Sequence, residues 1–157
     1  MVTAPVNEAQ VYEWLADVPD PEIPALSILD LGIVREVEVT RARKDKVTVT
    51  LSPTYSGCPA TEAIESSVFD ALKGRGVDEV EIKRVLSPPW TTDWISEDGR
   101  EKLRKYGIAP PSRNNEINCP QCESLNTELV SEFGSTACKA SWRCSDCLEP
   151  FEYFKCL

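Results

Sequence analysis

The chain has 157 residues, 41% of them hydrophobic and 27% charged, which suits a soluble globular protein with a compact domain of about 100 residues plus a small appendage, and excludes a large multidomain enzyme. Seventeen Lys and Arg stand against twenty-six Asp and Glu, a formal net charge of −9, which argues against nucleic-acid binding through phosphate neutralisation. There is no histidine, so an imidazole base, a Cys–His or Ser–His nucleophile and an imidazole metal ligand are all unavailable.

In chain order, Met1 to Gln10 has no basic flank followed by an apolar segment, so no secretory signal is expected, and no apolar run approaches the roughly 20 residues that span a bilayer. A cytoplasmic protein is expected. Val11, Trp14, Leu15 and Val18 fall at i, i+3, i+4 and i+7, with Asn7 placed to cap and Gln10 three residues on, which predicts an amphipathic helix. It stops before Asp20-Pro21-Glu22-Ile23-Pro24, where two prolines hold an extended acidic loop. Asp20, Glu22 and Asp30 there either present carboxylates to a metal or partner or are solvated turn residues.

Alternation over Ile33–Thr40 and again over Val47–Leu51, across a basic turn, predicts an antiparallel hairpin. Ala60, Ile64, Val68 and Leu72 then recur every fourth residue between Pro59 and Gly74, the pattern of a second helix. Val80, Ile82 and Val85 suggest a third strand. Pro88-Pro89-Trp90-Thr91-Thr92-Asp93-Trp94 sets two tryptophans beside a rigid turn, either as an interaction hot spot or as rings closing the open end of a sheet. Ser96 caps a last helix with Glu97 and Asp98 in its first turn and Arg104 and Lys105 in its last. The order helix, strand, strand, helix, strand, helix predicts a two-layer α+β domain over 1–107. Tandem prolines and polar residues then mark 108–117 as a linker, and 118–157 as a separate module.

Six of the seven cysteines follow Asn118, and in a reducing compartment paired thiols are more often ligands or catalytic groups than disulfides. The remaining one, Cys58, lies in Thr54-Tyr55-Ser56-Gly57-Cys58-Pro59. With Pro59 at the first helical position, Cys58 becomes the N-cap, where unpaired N–H groups and the helix dipole favour a thiolate. It serves there as a metal or sulfur ligand or in thiol exchange, or else it is a small buried apolar residue. Cys119-Pro120-Gln121-Cys122 and Cys144-Ser145-Asp146-Cys147 form two C-x-x-C knuckles able to converge on one tetrahedral ion, a structural zinc or alternatively iron or a cluster. A module this small needs metal to supply its folding free energy. Thr127–Phe133 and Trp142–Cys144 are candidate ribbon strands, with Phe151, Tyr153 and Phe154 packing over the site. Cys138 and Cys156 are packing residues or alternative ligands.

Asp20-Pro21-Glu22-Ile23-Pro24, Ser27-Ile28-Leu29-Asp30-Leu31-Gly32-Ile33-Val34 and Gly57-Cys58-Pro59 together resemble the signature of the metal-sulfur cluster assembly family, which includes the eukaryotic cytosolic iron-sulfur targeting factor and bacterial SUF-associated proteins. Pro89-Trp90-Thr91-Thr92-Asp93-Trp94-Ile95, Phe133-Gly134-Ser135-Thr136-Ala137-Cys138-Lys139-Ala140 and Phe154-Lys155-Cys156-Leu157 resemble the PaaD family of phenylacetyl-CoA ring epoxidase accessory subunits, and that likeness spans nearly the whole chain. The resemblance implies a metal-sulfur cluster assembly-like domain with a C-terminal zinc ribbon. It also implies a non-catalytic accessory factor that matures an iron-sulfur cluster or diiron centre in a multicomponent monooxygenase, or, alternatively, a structural adaptor. Carried onto this sequence, the motif thiolate for cluster or metal transfer is Cys58. The residues it implies for binding a transient cluster or iron are Asp20 and Glu22 of the acidic loop with Thr54 and Cys58, and the zinc ligands are Cys119, Cys122, Cys144 and Cys147. The partners implied are the oxygenase subunits, one of them docked by the ribbon, and their iron-sulfur flavin reductase. Homodimerisation stays open. A terminal oxygenase is excluded, since its usual E-x-x-H ligand set cannot exist here.

Overall fold

The structure is a computed structural model describing residues 4–55 and 57–156; residues 1–3, Ser56 and Leu157, which belong to motifs above, lie outside the described residues. Two compact units divide the chain, Met1–Trp90 and Thr91–Leu157.

In the first unit α1 (Glu8–Leu15) starts at the expected cap: Asn7 Oδ1 accepts from Gln10 N at 2.9 Å, and Gln10 Oε1 accepts from Asn7 N at 3.1 Å. Val11 and Leu15 point inward and are fully buried. Strands β1 (Val34–Arg41) and β2 (Asp45–Leu51) pair antiparallel with Val37 opposite Val49, as the alternation predicts. Helix α2 (Ala60–Gly74) buries Ala60, Ile64, Val68 and Leu72. It leads to β3 (Glu79–Arg84), which pairs parallel to β2 and gives the sheet order β1-β2-β3. A parallel neighbour requires a crossover of a dozen or more residues, and α2 supplies it. Because β2 is central, Val47, Thr48 and Val49 are all buried, and strict alternation gives way to a continuous buried run.

The acidic loop is part of this core. Ile23, Leu26, Ile28, Leu31 and Ile33 are each at most 2% exposed, although they follow neither a helical nor a strand period. Local caps hold the chain: Asp20 N donates to Leu26 O at 2.8 Å, and Ser27 and Asp30 exchange side-chain-to-backbone bonds of 3.1 and 2.9 Å. Trp90 is buried, and its indole N–H donates to Leu31 O at 2.7 Å, so this ring packs within its own unit.

The second unit opens with a 3-10 turn, Thr92–Trp94, and α3 (Glu97–Tyr106), capped by Ser96 Oγ at one end and by Gly107, at φ 90°, at the other. Helix α3 thus lies with the C-terminal residues rather than with the first unit. The segment expected to be a linker begins with a strand: β4 (Ile108–Ala109) is buried and pairs parallel to β7 (Pro150–Phe154). Arg100 clamps the segment by donating to Pro111 O and Thr92 O, both at 3.0 Å. Strands β5 (Thr127–Ser131) and β6 (Lys139–Cys144) complete a sheet of order β4-β7-β6-β5. Together the units give a mixed α+β fold with a C-terminal ribbon, and no helix among the described residues is long and apolar enough to cross a membrane.

Candidate functional site

The ribbon site is assembled from two chain turns. Cys119 and Cys122 precede β5, whereas Cys144 ends β6 and Cys147 lies in the turn to β7; β-pairing of Thr127 with Cys144 brings the turns together. Glu123 and Leu148, each just after a knuckle, take left-handed backbone at φ 62° and 67°. The Asp146 carboxylate ties the knuckles by accepting from Asn126 Nδ2 at 3.0 Å and from the Ser124 hydroxyl. Backbone N–H groups point at sulfur: Gln121 N lies 3.4 Å from Cys119 Sγ and Cys147 N 3.5 Å from Cys144 Sγ.

All four sulfurs lie within 4.8 Å of one another, with 3.6 Å between Cys119 and Cys147 and between Cys122 and Cys144. A tetrahedron with metal–sulfur bonds of ~2.3 Å has edges of ~3.8 Å, so the residues fit one tetrahedral ion. Electrostatics agree. The Cys144 thiol is held down to about 7, first by the Cys147 backbone N–H and then, against burial, by that of Asp146. At Cys147 the Glu149 N–H pulls the other way but is outweighed by burial and the three adjacent thiols, which push it up to about 12. Four thiols this close do not all ionise unless a cation sits among them. Beneath the site Cys119 and Cys144 pack with Ala109, Ile117, Phe151 and Tyr153, and with Trp142 edge-on to Tyr153 at 6.1 Å. Phe154 is buried but falls outside this cluster, being one residue out of the period of two.

Cys138 and Cys156 stand apart from the four ligands. Cys138 is buried with its Sγ 3.0 Å from Thr136 Oγ1. Cys156 is exposed and donates to Ser112 O at 3.3 Å, beside the Tyr153 hydroxyl. Sequence reasoning missed the support of this turn: Glu152 accepts from Ser135 N at 2.6 Å and pairs at 3.1 Å with Lys139, whose side chain is 4% exposed. A Cβ at Gly134 would come within 2.7 Å of Glu152 Oε1 and would displace that carboxylate.

In the first unit Cys58 is half-buried, and its sulfur accepts a 3.9 Å bond from Thr54 Oγ1. Gly57 has φ 77°, a left-handed backbone that favours glycine, immediately before the thiol. Helix α2 starts at Ala60 with Pro59 as its N-cap, so Cys58 sits one residue before the cap position expected for it, although its O still accepts from Thr61 N at 3.2 Å. Asp20 is only 6% exposed: its Oδ1 accepts from Glu22 N and Ile23 N at 2.9 and 2.8 Å, making it a buried turn cap. Glu22 is half-buried. Among the described residues Asp20, Glu22 and Cys58 do not form a metal-ligating group, whereas the four ribbon cysteines do. Ser52, at the end of β2, holds a buried hydroxyl with no hydrogen-bond partner among the described residues; no periodicity signals it.

These two sites match two family models, an iron-sulfur cluster assembly protein over residues 8–83 and a PaaD zinc beta ribbon domain over 107–155. A protein of Escherichia coli (strain K12), named as a component of a 1,2-phenylacetyl-CoA epoxidase, is 47% identical over 98% of this chain and 96% of its own. The chain belongs to the PaaD family. The chain is also 36% identical to an Fe-S protein maturation auxiliary factor of Bacillus subtilis (strain 168), over 52% of this chain and 78% of that one. Among solved structures, a DUF59 domain of unknown function from Bacillus anthracis has a TM-score of 0.55 at 32% identity, covering 61% of this chain and 90% of that one. The matched regions are those in which this PaaD chain carries the acidic-loop, Gly-Cys-Pro and C-x-x-C motifs.

Proposed function

We propose that the protein is a non-catalytic accessory subunit of a phenylacetyl-CoA epoxidase in cytoplasmic, aerobic phenylacetate degradation. It assists assembly of an iron-sulfur cluster or diiron centre in a partner subunit. One observation carries this reading: an iron-sulfur assembly domain bearing a half-buried, unbridged thiol and a four-thiol ribbon share a chain that is 47% identical to an epoxidase subunit. Zinc in the ribbon is structural, because four thiolates leave no open position for substrate. Iron or a cluster is cargo at Cys58, whose thiol releases a proton on binding it and regains one when the cargo passes to a partner's ligands. Asp20 holds the acidic loop that carries Glu22 by its turn cap, and Thr54 donates to that thiol. The partners are the oxygenase subunits and their iron-sulfur flavin reductase.

The test compares wild type with Cys58→Ser, each purified without oxygen for metal and sulfide analysis and scored for restoring epoxidase activity in cells lacking the chain. The variant is expected to keep its fold and its zinc, while iron in the epoxidase and growth on phenylacetate fall. Full iron loading with Cys58→Ser would overturn the maturation reading and leave a structural adaptor.

A further inference from the structure

We infer that the cleft between α3, the segment after β4 and the first C-x-x-C knuckle is a docking site for an extended, Lys- and Arg-bearing segment of another epoxidase component. The inference rests on the proposed function for the partner's identity and on the second unit alone for the site. The cleft has a volume of about 940 Å³, the size of a built binding site, and all its walls belong to residues 92–156.

Its charge is not balanced from within. Five carboxylates, those of Asp93, Glu97, Glu101, Glu116 and Glu123, line it against the three guanidinium groups of Arg100, Arg104 and Arg113, a surplus of two negative charges. Arg113 is paired with Asp93 at 2.5 Å and Arg104 with Glu101 at 2.9 Å. Arg100 is turned to backbone carbonyls, donating to Pro111 O and Thr92 O. Among the described residues Glu97, Glu116 and Glu123 make no side-chain hydrogen bond or ion pair, and all three are exposed.

The placement of those three carboxylates selects the occupant. They stand on separate stretches of chain, in the first turn of α3, before Ile117 and just after Cys122, and they form no metal-ligating group. A single cation cannot meet all three, whereas cations spaced along one chain can. Ala109, Pro110, Pro111 and Pro120 supply apolar wall for the methylene stems of such side chains. The walls are also set before binding: prolines stiffen them, and Ser112 N donates to the Tyr153 hydroxyl at 3.2 Å, so the cost of ordering falls on the partner's segment. A second copy of this chain brings a formal −9 and meets like-charge repulsion.

The experiment measures binding of the full-length, zinc-loaded chain to the co-expressed remaining epoxidase subunits, with zinc content and circular dichroism checking the fold. The triple variant Glu97→Gln, Glu116→Gln, Glu123→Gly is expected to weaken binding roughly tenfold, the scale of three exposed ion pairs, and to flatten its salt dependence. Glu123→Gly is informative by itself, because Glu123 holds left-handed backbone at φ 62° that glycine adopts freely. It is expected to weaken binding severalfold while the ribbon's thermal midpoint stays at or above that of wild type, which separates a lost contact from a lost fold. Cys156 reports occupancy, since its exposed thiol lies in the wall of the cleft: its labelling by iodoacetamide is expected to fall severalfold in the complex. Unchanged binding by the folded triple variant overturns the inference. So does undiminished Cys156 labelling in the complex, failure of the wild type to bind any epoxidase subunit, or protection of Cys156 by the chain alone at raised concentration, which marks a second copy. Cys58→Ser is expected to bind as wild type. Binding lost in the cleft variants while Cys58→Ser still loads the epoxidase with iron supports the cleft and overturns maturation; normal binding by the cleft variants with iron lost in Cys58→Ser does the reverse.

Discussion

The two units of this chain solve the folding problem with different materials. In the first, Val11, Leu15, Ile28, Val47, Val49, Val68 and Leu72 are all at 0% exposure, and the fold follows from aliphatic burial. In the ribbon, two members of the six-residue buried cluster are cysteines, and the outer strand buries nothing. A small module exposes too much surface for hydrophobic burial to offset chain entropy, so an ion held by four side chains stands in for a core. The difference teaches that cysteine here has two separate uses, four thiols spent on structure and one, Cys58, left outside it.

The sharpest way to break this comparison is to remove the ion. Cys144→Ser, or a strong chelator, is expected to unfold the ribbon, since structural zinc contributes on the order of 10 kcal/mol of coupled binding and folding. Amide signals of β1–β3 should persist while those of β5–β7 collapse. Loss of both sets together would show that the first unit depends on the metal. A converse perturbation in the first unit is smaller: Leu72→Ala, at a fully buried position of α2, is expected to cost about 2–5 kcal/mol in denaturant unfolding. Its zinc stoichiometry should stay that of wild type.

The smallest effect concerns the Lys139–Glu152 pair under the β5–β6 turn. Burial raises the Glu152 pKa, but the Ser135 backbone N–H and hydroxyl and the Lys139 ammonium outweigh it and hold the carboxyl below its ordinary 4.5. A depressed carboxyl contributes stability that is complete above its unfolded value and is lost as pH falls through its folded one. Glu152→Gln should therefore lower the ribbon's thermal midpoint at neutral pH, with the gap to wild type closing below about pH 4.5. A gap independent of pH would make the pair's contribution one of packing alone.

Much of this molecule was legible in its residues. Helix α2 announces itself by an apolar residue every fourth position and a glycine at its end, and both C-x-x-C knuckles are explicit. Less was legible where burial has no period. Asp20 to Pro24 reads as an extended acidic loop, yet the stretch from there to Ile33 places five aliphatic residues in the core, because reciprocal caps rather than a regular ladder satisfy its backbone. Ile108 and Ala109 were hidden by the prolines after them, since a two-residue strand acquires meaning only from its partner in β7.

The sequence by itself determined the helices and strands of the first unit, the two C-x-x-C knuckles, the single thiol of the body and, through the absence of histidine, the restriction of its side-chain chemistry to sulfur, carboxylates, hydroxyls and amines. These are properties of residue type and short-range spacing. Only the tertiary structure decided that four sulfurs converge to 3.6–4.8 Å, that Asp20 faces its own backbone, and that Phe133 stands exposed but ordered. Each depends on contacts between residues whose orientation local propensity does not encode, and such contacts exist only once sheets and turns have closed.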